Sequence, residues 1–182
     1  MPRLYFIRHG EASAGFGEDH DPGLSTLGHD QARKAAEKIL QKGPIPIISS
    51  PLRRCQETAT PLCQAWGRHP TIERGVAEIP SPTVDLTART TWLRGVMSGT
   101  WAEADEASRG WRDYVVETVK RIDQDTVIFS HFIAINVIAG HAAGDDRVVC
   151  FRPDNCSITI VDVEEDEIRI VELGGEAATH VG

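Results

Sequence analysis

The stretch Leu4-Tyr5-Phe6-Ile7-Arg8-His9-Gly10-Glu11 is a short apolar run that leads directly into a cation, an imidazole, a glycine and a carboxylate. The apolar run predicts a buried strand. In α/β proteins, ligands bind beyond the carboxyl ends of the strands, so this strand would bring Arg8 and His9 to a ligand site. The octapeptide alone is also compatible with a plain strand that has a polar end. The decision depends on whether other segments supply matching groups at the same edge.

Composition limits the class of protein. The 182 residues carry a net charge of −8, with 41% apolar and 25% charged residues, as expected for one globular domain over residues 1–182. The acidic balance disfavours a nucleic-acid partner, because binding to phosphates in general needs a basic face. The chain has no apolar run of about 18 residues and no signal peptide, which predicts a cytoplasmic protein without membrane contact. Its four cysteines form no CxxC pair and are expected to be reduced thiols.

The hydrophobic periodicity predicts strands that alternate with helices. Further strands are expected at 45–49, 71–74, 126–130, 157–163 and 167–173. Helices are expected from Ser25 or Thr26 to Gly43, from Ser50 to Gly67, over 86–97, within 103–123, and over 132–143. This alternation predicts a three-layer α/β/α sandwich with a mostly parallel sheet of about six strands and a C-terminal hairpin.

Two details of the helix starts follow from local sequence rules. Leu27 is expected to belong to the buried stripe of the first helix. Ser50 is expected to cap the second helix, with Pro51 in its first turn, because serine satisfies free N–H groups and proline lacks one.

Three predicted strand ends carry reactive groups, namely Arg8-His9, the segment Ser50 to Arg54, and His131. Parallel neighbouring strands would bring these groups to one edge. Two imidazoles with arginines and a carboxylate suit phosphoryl transfer through nitrogen, in which a neutral imidazole attacks phosphorus and cations hold the oxygens. This set needs no metal, and the chain lacks the H-E-x-x-H pattern of zinc sites. The other histidines are assigned ordinary structural roles: His20, His29, His69, His141 and His180.

At these positions the chain resembles the histidine phosphatase superfamily, which includes cofactor-dependent phosphoglycerate mutases and many small phosphatases. Arg8-His9-Gly10-Glu11 matches the nucleophile signature, and the segment from Ser50 through Thr58-Ala59 matches the second arginine motif. Leu24 to Gly28 is similar to the start of the first helix, Ser130-His131 to the second histidine, and Asn155 to Thr159 to the closing strand. The resemblance extends over nearly the full length of the chain.

The resemblance implies a division of labour among the residues. His9 would be the nucleophile that becomes phosphorylated, with Arg8 and Arg54 as clamps on the phosphoryl oxygens and His131 as a further donor. Arg54 is preferred to its neighbour because the family's arginine lies four residues after the serine. Gly10 would let the backbone approach the phosphate.

The general acid is implied to be Glu78, because Val76-Ala77-Glu78-Ile79 fits the family's acid segment, although the following Pro80-Ser81-Pro82 departs from it. Glu11 and Glu103 are the alternatives. Two other departures affect the pocket. Gly15 replaces a common asparagine, so either one phosphate contact would be missing or Ser13 would replace it, and Phe132 stands where glycine is usual after the second histidine.

The function implied is a metal-independent phosphatase without a cofactor. Its substrate would be a small phosphorylated metabolite or a phosphohistidine protein. Two alternatives remain at this point: a phosphoglycerate mutase-type phosphotransferase, which the short chain disfavours because it leaves little length for a lid, and a non-catalytic phosphate-binding module.

Overall fold

The computed structural model describes residues 1–177, so His180 lies outside the described residues. The strands are β1 (Arg3–Arg8), β2 (Ile47–Ser49), β3 (Thr71–Ile72), β4 (Thr126–Ser130), β5 (Ile158–Glu164) and β6 (Glu167–Glu172). The helices are α1 (Thr26–Ile39), α2 (Arg53–Trp66), α3 (Leu86–Met97), α4 (Glu106–Lys120) and α5 (Phe132–Ala143). Short 3₁₀ segments lie at Leu40–Lys42 and Arg74–Val76.

The six strands form one mixed sheet in the order β3-β2-β4-β1-β5-β6. Strands β3, β2, β4 and β1 run parallel to one another, while β5 is antiparallel to β1 and forms the C-terminal antiparallel hairpin with β6. The carboxyl ends of β1, β4 and β2 therefore lie side by side, with Arg8 opposite Ser130 and Ser49 opposite Phe129. The predicted sheet and the predicted meeting of three strand ends are confirmed.

The two faces of β1 belong to two separate apolar cores, because successive side chains of a strand point to opposite faces. Leu4 and Phe6 pack in the core that includes α4, α5 and part of α3. Tyr5 and Ile7 pack in the core formed with α1 and α2. Burying one such side chain is worth roughly 1.5–3 kcal/mol, so both helix layers hold the sheet in place. This arrangement is the predicted three-layer α/β/α sandwich.

Helix α1 begins as predicted, but one of its predicted core residues is exposed. The Ser25 hydroxyl accepts a hydrogen bond from Gly28 N at 3.0 Å, which is an N-cap. Ala32, Ala35 and Ile39 are buried. Leu27 is 51% exposed, so its assignment to the buried stripe was wrong. Leu27 lies in the first turn of the helix and points to solvent, whereas Ala32 and Ala35, further along, face the sheet.

Helix α2 begins at Arg53, later than predicted. Its N-cap is Leu52, in extended conformation, so the expectation that Ser50 caps the helix and that Pro51 lies in its first turn was wrong. The Ser50 hydroxyl accepts from Leu52 N at 3.2 Å and lies 2.8 Å from His131 Nε2. The serine that local sequence rules assign to the helix cap thus contacts the His131 ring at the sheet edge instead.

Two further observations concern whole-chain expectations. Within residues 1–177, none of the helices is both long enough and apolar enough to cross a membrane. The four cysteines are free thiols, as expected.

Candidate active site

A cavity of about 430 Å³ opens above the carboxyl ends of the central strands. Its inner end is formed by Arg8, His9, Arg54 and Glu78. The outer wall comes from α3, from the start of α5 and from the loop over residues 11–22. Arg8 ends β1, His9 follows it directly, and Arg54 lies in the first turn of α2. The fold itself therefore brings these three predicted residues together.

His9 follows β1 and is fixed through both its backbone and its ring. Its N–H donates to Ser130 O at 3.1 Å, and its carbonyl accepts from Asn155 Nδ2 at 3.0 Å. Ring atom Nδ1 lies 2.7 Å from Gly10 O, an acceptor, and Nε2 lies 3.2 Å from Arg54 Nε, a donor. Because Gly10 O can only accept and Arg54 Nε can only donate, the proton of the neutral ring lies on Nδ1 and Nε2 keeps its lone pair.

The electrostatic surroundings keep this imidazole neutral. Burial, followed by the charges of Arg54 and Arg8, holds the pKa of His9 well below its ordinary value of 6.5. The hydrogen bond to Gly10 acts in the opposite direction. A neutral ring with an unprotonated Nε2 is the form in which histidine acts as a nucleophile.

Gly10 has a different role from the expected contact with a phosphate. Its N–H donates to Thr58 Oγ1 at 3.0 Å, so this donor is already used within the protein. A Cβ atom on Gly10 would lie 2.6 Å from Gly28 O, and one on Gly28 would lie 2.2 Å from Glu11 O. The two glycines therefore let α1 approach the end of β1 closely, which supports the His9 backbone from behind.

Arg8 is buried beside the cavity. One of its terminal nitrogens donates to Pro153 O at 2.9 Å, and its guanidinium carbon lies 5.2 Å from the centre of the Phe132 ring. Phe132, which stands where the resembling proteins carry glycine, thus covers the arginine and forms part of the cavity wall. Arg8 Nε is buried without a hydrogen-bond partner among the described residues. It is a donor available to an anion in the cavity.

The structure separates the two adjacent arginines of α2. Arg54 lines the cavity and contacts His9. Arg53 is exposed, and its Nε lies 2.9 Å from a carboxylate oxygen of Glu57. Arg54 is therefore the arginine that α2 directs to the strand ends, as the spacing from Ser50 implied.

His131 is the N-cap residue of α5 and is fully buried. Its ring centre lies 5.3 Å from that of His9, in an edge-on arrangement. Burial, then the charges of Arg54, His9 and Arg8, holds its pKa well below 6.5, so this ring is also neutral. The nitrogen Nδ1 has no partner within residues 1–177.

Glu78 lies in the cavity at the start of α5. One carboxylate oxygen, Oε1, accepts from Ile79 N at 3.2 Å and from Ala134 N at 3.1 Å, while Oε2 accepts from Ile133 N at 3.0 Å. Burial raises its pKa above 4.5, although these N–H groups and Arg54 act in the opposite direction. A carboxyl group that holds its proton to higher pH is suited to act as a general acid.

The two alternative acids are less suitably placed. Glu11 lies at the cavity rim, is exposed, and accepts from the Ser25 hydroxyl at 2.9 Å. Glu103 is exposed, contacts Thr100 and lies outside the cavity. Ser13 also lies on the rim, exposed to solvent.

Three residues support this site without a predicted role in it. Asn155 holds the His9 carbonyl, Thr58 holds Gly10, and Ser50 contacts His131. All three stand inside segments that resemble family motifs, and that position was the only signal for them. Residues 1–177 contain no group of three or more His, Cys, Asp or Glu side chains arranged to hold a metal ion.

The arrangement combines four chemical features around one point. These are an imidazole lone pair, two guanidinium groups, a second buried imidazole and a carboxyl group with a raised pKa. Together they suit a tetrahedral oxyanion that is attacked by nitrogen while a leaving group takes up a proton.

The chain is similar to known proteins over most of its length. The family model described as histidine phosphatase superfamily (branch 1) matches residues 4–175. A glucosyl-3-phosphoglycerate phosphatase from Mycolicibacterium vanbaalenii is 34% identical over 119 residues, covering 61% of this chain and 48% of that protein. A probable phosphoglycerate mutase from Escherichia coli O1:K1 / APEC is 29% identical, covering 91% of this chain and 86% of that protein.

The solved structures share the fold. A phosphoserine phosphatase from Entamoeba histolytica, in complex with 3-phosphoglyceric acid, superposes with a TM-score of 0.74 at 19% identity, covering 96% of this chain and 98% of that chain. The chain spans about half the length of the first curated relatives that it matches, 55% and 48%.

Proposed function

Because the chain belongs to the histidine phosphatase superfamily, we propose that it is a phosphomonoesterase that works through a phosphohistidine intermediate on His9. The observation that carries the proposal is the pair of contacts on the His9 ring. Gly10 O holds the proton on Nδ1, and Arg54 lies beside the Nε2 lone pair. The nucleophile needs no metal-bound water, and the arginines supply the positive charge.

In the first step, the Nε2 lone pair of His9 attacks phosphorus, a P–N bond forms, and the P–O bond to the leaving group breaks. Arg8, through an Nε that has no partner among residues 1–177, and Arg54, whose Nε shifts from His9 Nε2 to the substrate, hold the phosphoryl oxygens. His131 offers a further contact. The charge that spreads over these oxygens in the transition state is thereby offset. Glu78 gives its proton to the departing alkoxide.

In the second step, water attacks the phosphohistidine. The Glu78 carboxylate takes a proton from that water, the P–N bond breaks, and inorganic phosphate leaves with His9 neutral again. The raised pKa of Glu78 supports both halves of this cycle, since the group must hold a proton in the first step and accept one in the second.

The substrate class we propose is a small phosphorylated molecule. The cavity of about 430 Å³ is bordered on its outer side by α3 and the loop over residues 11–22, and its size suits a metabolite. The names of the relatives point to phosphoglycerate derivatives. A phosphohistidine peptide belongs in the substrate panel as the alternative.

The test is phosphate release from p-nitrophenyl phosphate and from the metabolite panel by wild type and His9→Ala. The matched control is His69→Ala, which removes an exposed imidazole outside this cavity. We expect His9→Ala to lose turnover and His69→Ala to keep it. If His9→Ala released phosphate at the parent rate, the proposal would be abandoned.

Two alternatives have specific support. A mutase-type transfer is favoured by the relative named a probable phosphoglycerate mutase, which covers 91% of this chain. It would appear as movement of phosphate between positions of phosphoglycerate in the presence of a bisphosphate. A non-catalytic phosphate-binding module is favoured by the N–H groups that stabilise the charged form of Glu78. It would bind vanadate but turn over no ester.

A further inference from the structure

The buried ring of His131 makes contacts on one side only. Nε2 lies 2.8 Å from Ser50 Oγ and 3.3 Å from Cys55 Sγ, and Nδ1 has no partner within residues 1–177. All three of these side chains are fully buried. A neutral imidazole has one N–H group, so the neighbours of Nε2 decide which nitrogen carries the proton.

The hydrogen bonds around Ser50 leave it free to be the donor. Its oxygen accepts from Leu52 N at 3.2 Å, and its own O–H group has His131 Nε2 as an acceptor at 2.8 Å. The thiol of Cys55 has one hydrogen, and the carbonyl Ser130 O lies 3.3 Å from its sulfur. Burial raises the pKa of this thiol, so Cys55 stays protonated, and the Ser130 carbonyl is an acceptor for its one hydrogen.

We propose that Ser50 is a positioning residue: its hydroxyl donates to His131 Nε2 and so keeps the proton of His131 on Nδ1, from which it donates to the phosphoryl group. This inference rests on the proposed function. It assigns to Ser50 a role in setting one tautomer, whereas the sequence assigned it to a helix cap.

The tautomer matters because His131 cannot rely on a positive charge. Burial, and then the charges of Arg54, His9 and Arg8, depress its pKa, so the ring meets the substrate as a neutral group. With the proton on Nδ1, it donates to an anionic oxygen. With the proton on Nε2, the Nδ1 lone pair would repel that oxygen. The hydrogen bond from the Ser50 hydroxyl therefore determines whether His131 Nδ1 attracts or repels the phosphoryl oxygen.

The main experiment uses Ser50→Ala, with Ser49→Ala as the matched control. Both serines are fully buried and adjacent, but the Ser49 hydroxyl donates to the Ser50 carbonyl at 2.9 Å and has no contact with His131. The histidine tautomers are read from nitrogen-15 NMR of the ring atoms with vanadate bound, a readout that a general loss of stability does not shift.

In wild type and in Ser49→Ala we expect the proton of His131 on Nδ1. In Ser50→Ala we expect it to move wholly or partly to Nε2, with kcat about 10-fold to 100-fold lower and KM little changed. Vanadate should bind more weakly by a similar factor. A second variant, Cys55→Ala, should keep the Nδ1 proton, because sulfur is not the donor.

The inference would be overturned if His131 carried its proton on Nε2 in the wild type, or if Ser50→Ala left both tautomer and kcat unchanged. It would also fail if Cys55→Ala, rather than Ser50→Ala, moved the proton. The NMR and vanadate measurements need no turnover. If no ester were hydrolysed, the proposed function would fail while the role of Ser50 in setting the tautomer would still be decided.

Discussion

Replacing Glu78 with glutamine tests its two roles, as acceptor for the N–H groups at the start of α5 and as general acid. Glutamine offers one acceptor oxygen and one donor group, whereas the carboxylate accepts from three backbone N–H groups. If the amide oxygen takes the place of Oε1, it keeps the bonds from Ile79 and Ala134. The amide nitrogen then faces Ile133 N–H, which loses its acceptor. An unsatisfied buried N–H group costs about 1–3 kcal/mol, which is the expected fall in the unfolding free energy.

The catalytic effect of Glu78→Gln depends on the leaving group. An alkyl phosphate needs a proton on its departing oxygen, so we expect kcat to fall about 10²–10⁴-fold. With p-nitrophenyl phosphate the fall should be much smaller, because p-nitrophenolate leaves without a proton. The wild-type rate on the alkyl ester should decline at high pH as Glu78 loses its proton, and this limb should disappear in the variant.

The assay compares both esters across pH and adds urea unfolding for stability. Glu73→Gln is the matched control, since the Glu73 carboxylate accepts one bond, from Gly75 N at 2.9 Å, which an amide oxygen can replace. Equal losses of rate on the two esters in Glu78→Gln would refute its role as general acid. An unchanged unfolding free energy would refute its role as acceptor for the N–H groups at the start of α5.

Other predictions follow from the same contacts. Arg54→Ala should lower kcat/KM about 10²–10³-fold, while Arg53→Ala, which removes an exposed ion pair, should change the rate little; equal effects would contradict the assignment. Gly28→Ala should lower the unfolding free energy by about 1–3 kcal/mol in urea titrations, despite alanine's better helix propensity, because its Cβ meets backbone atoms; a more stable variant would contradict this. The folded pKa of His9 and of His131 lies below the unfolded value, so the unfolded state binds more protons. Unfolding free energy should therefore fall as pH drops below 6.5, and a flat profile in urea titrations would contradict the burial of neutral rings.

The sequence predicted best those elements that one periodic pattern determines. Strand β4 and helix α5 have the predicted bounds, because a continuous apolar run ends at His131 and α5 is apolar on all sides. Local rules failed where a distant contact used the same atoms. The Ser50 hydroxyl binds a ring 81 residues away in place of the helix start.

Among the site residues, too, those that follow from a general pattern could be predicted, and those that depend on a distant contact could not. His9 and His131 could be predicted as neighbours because parallel strands end at one edge, which is a property of the topology, whereas Arg54 was preferred to Arg53 only through the family resemblance. The amide of Asn155, 146 residues from His9, could not be predicted, because loop conformation places it. Gly10 was predicted as part of the site, but its packing against α1 depends on how two elements meet, which no local pattern encodes.

The central claim is that the Nε2 atom of His9 forms the bond to phosphorus. The most direct measurement is to quench the enzyme at alkaline pH during turnover of a phosphomonoester and locate the phosphoryl group by peptide mass spectrometry and phosphorus NMR. We expect an acid-labile phosphohistidine at His9, on Nε2, because Nδ1 is occupied by Gly10 O. Phosphate on Nδ1, phosphate on another residue, or rapid turnover with no phosphoenzyme would contradict it.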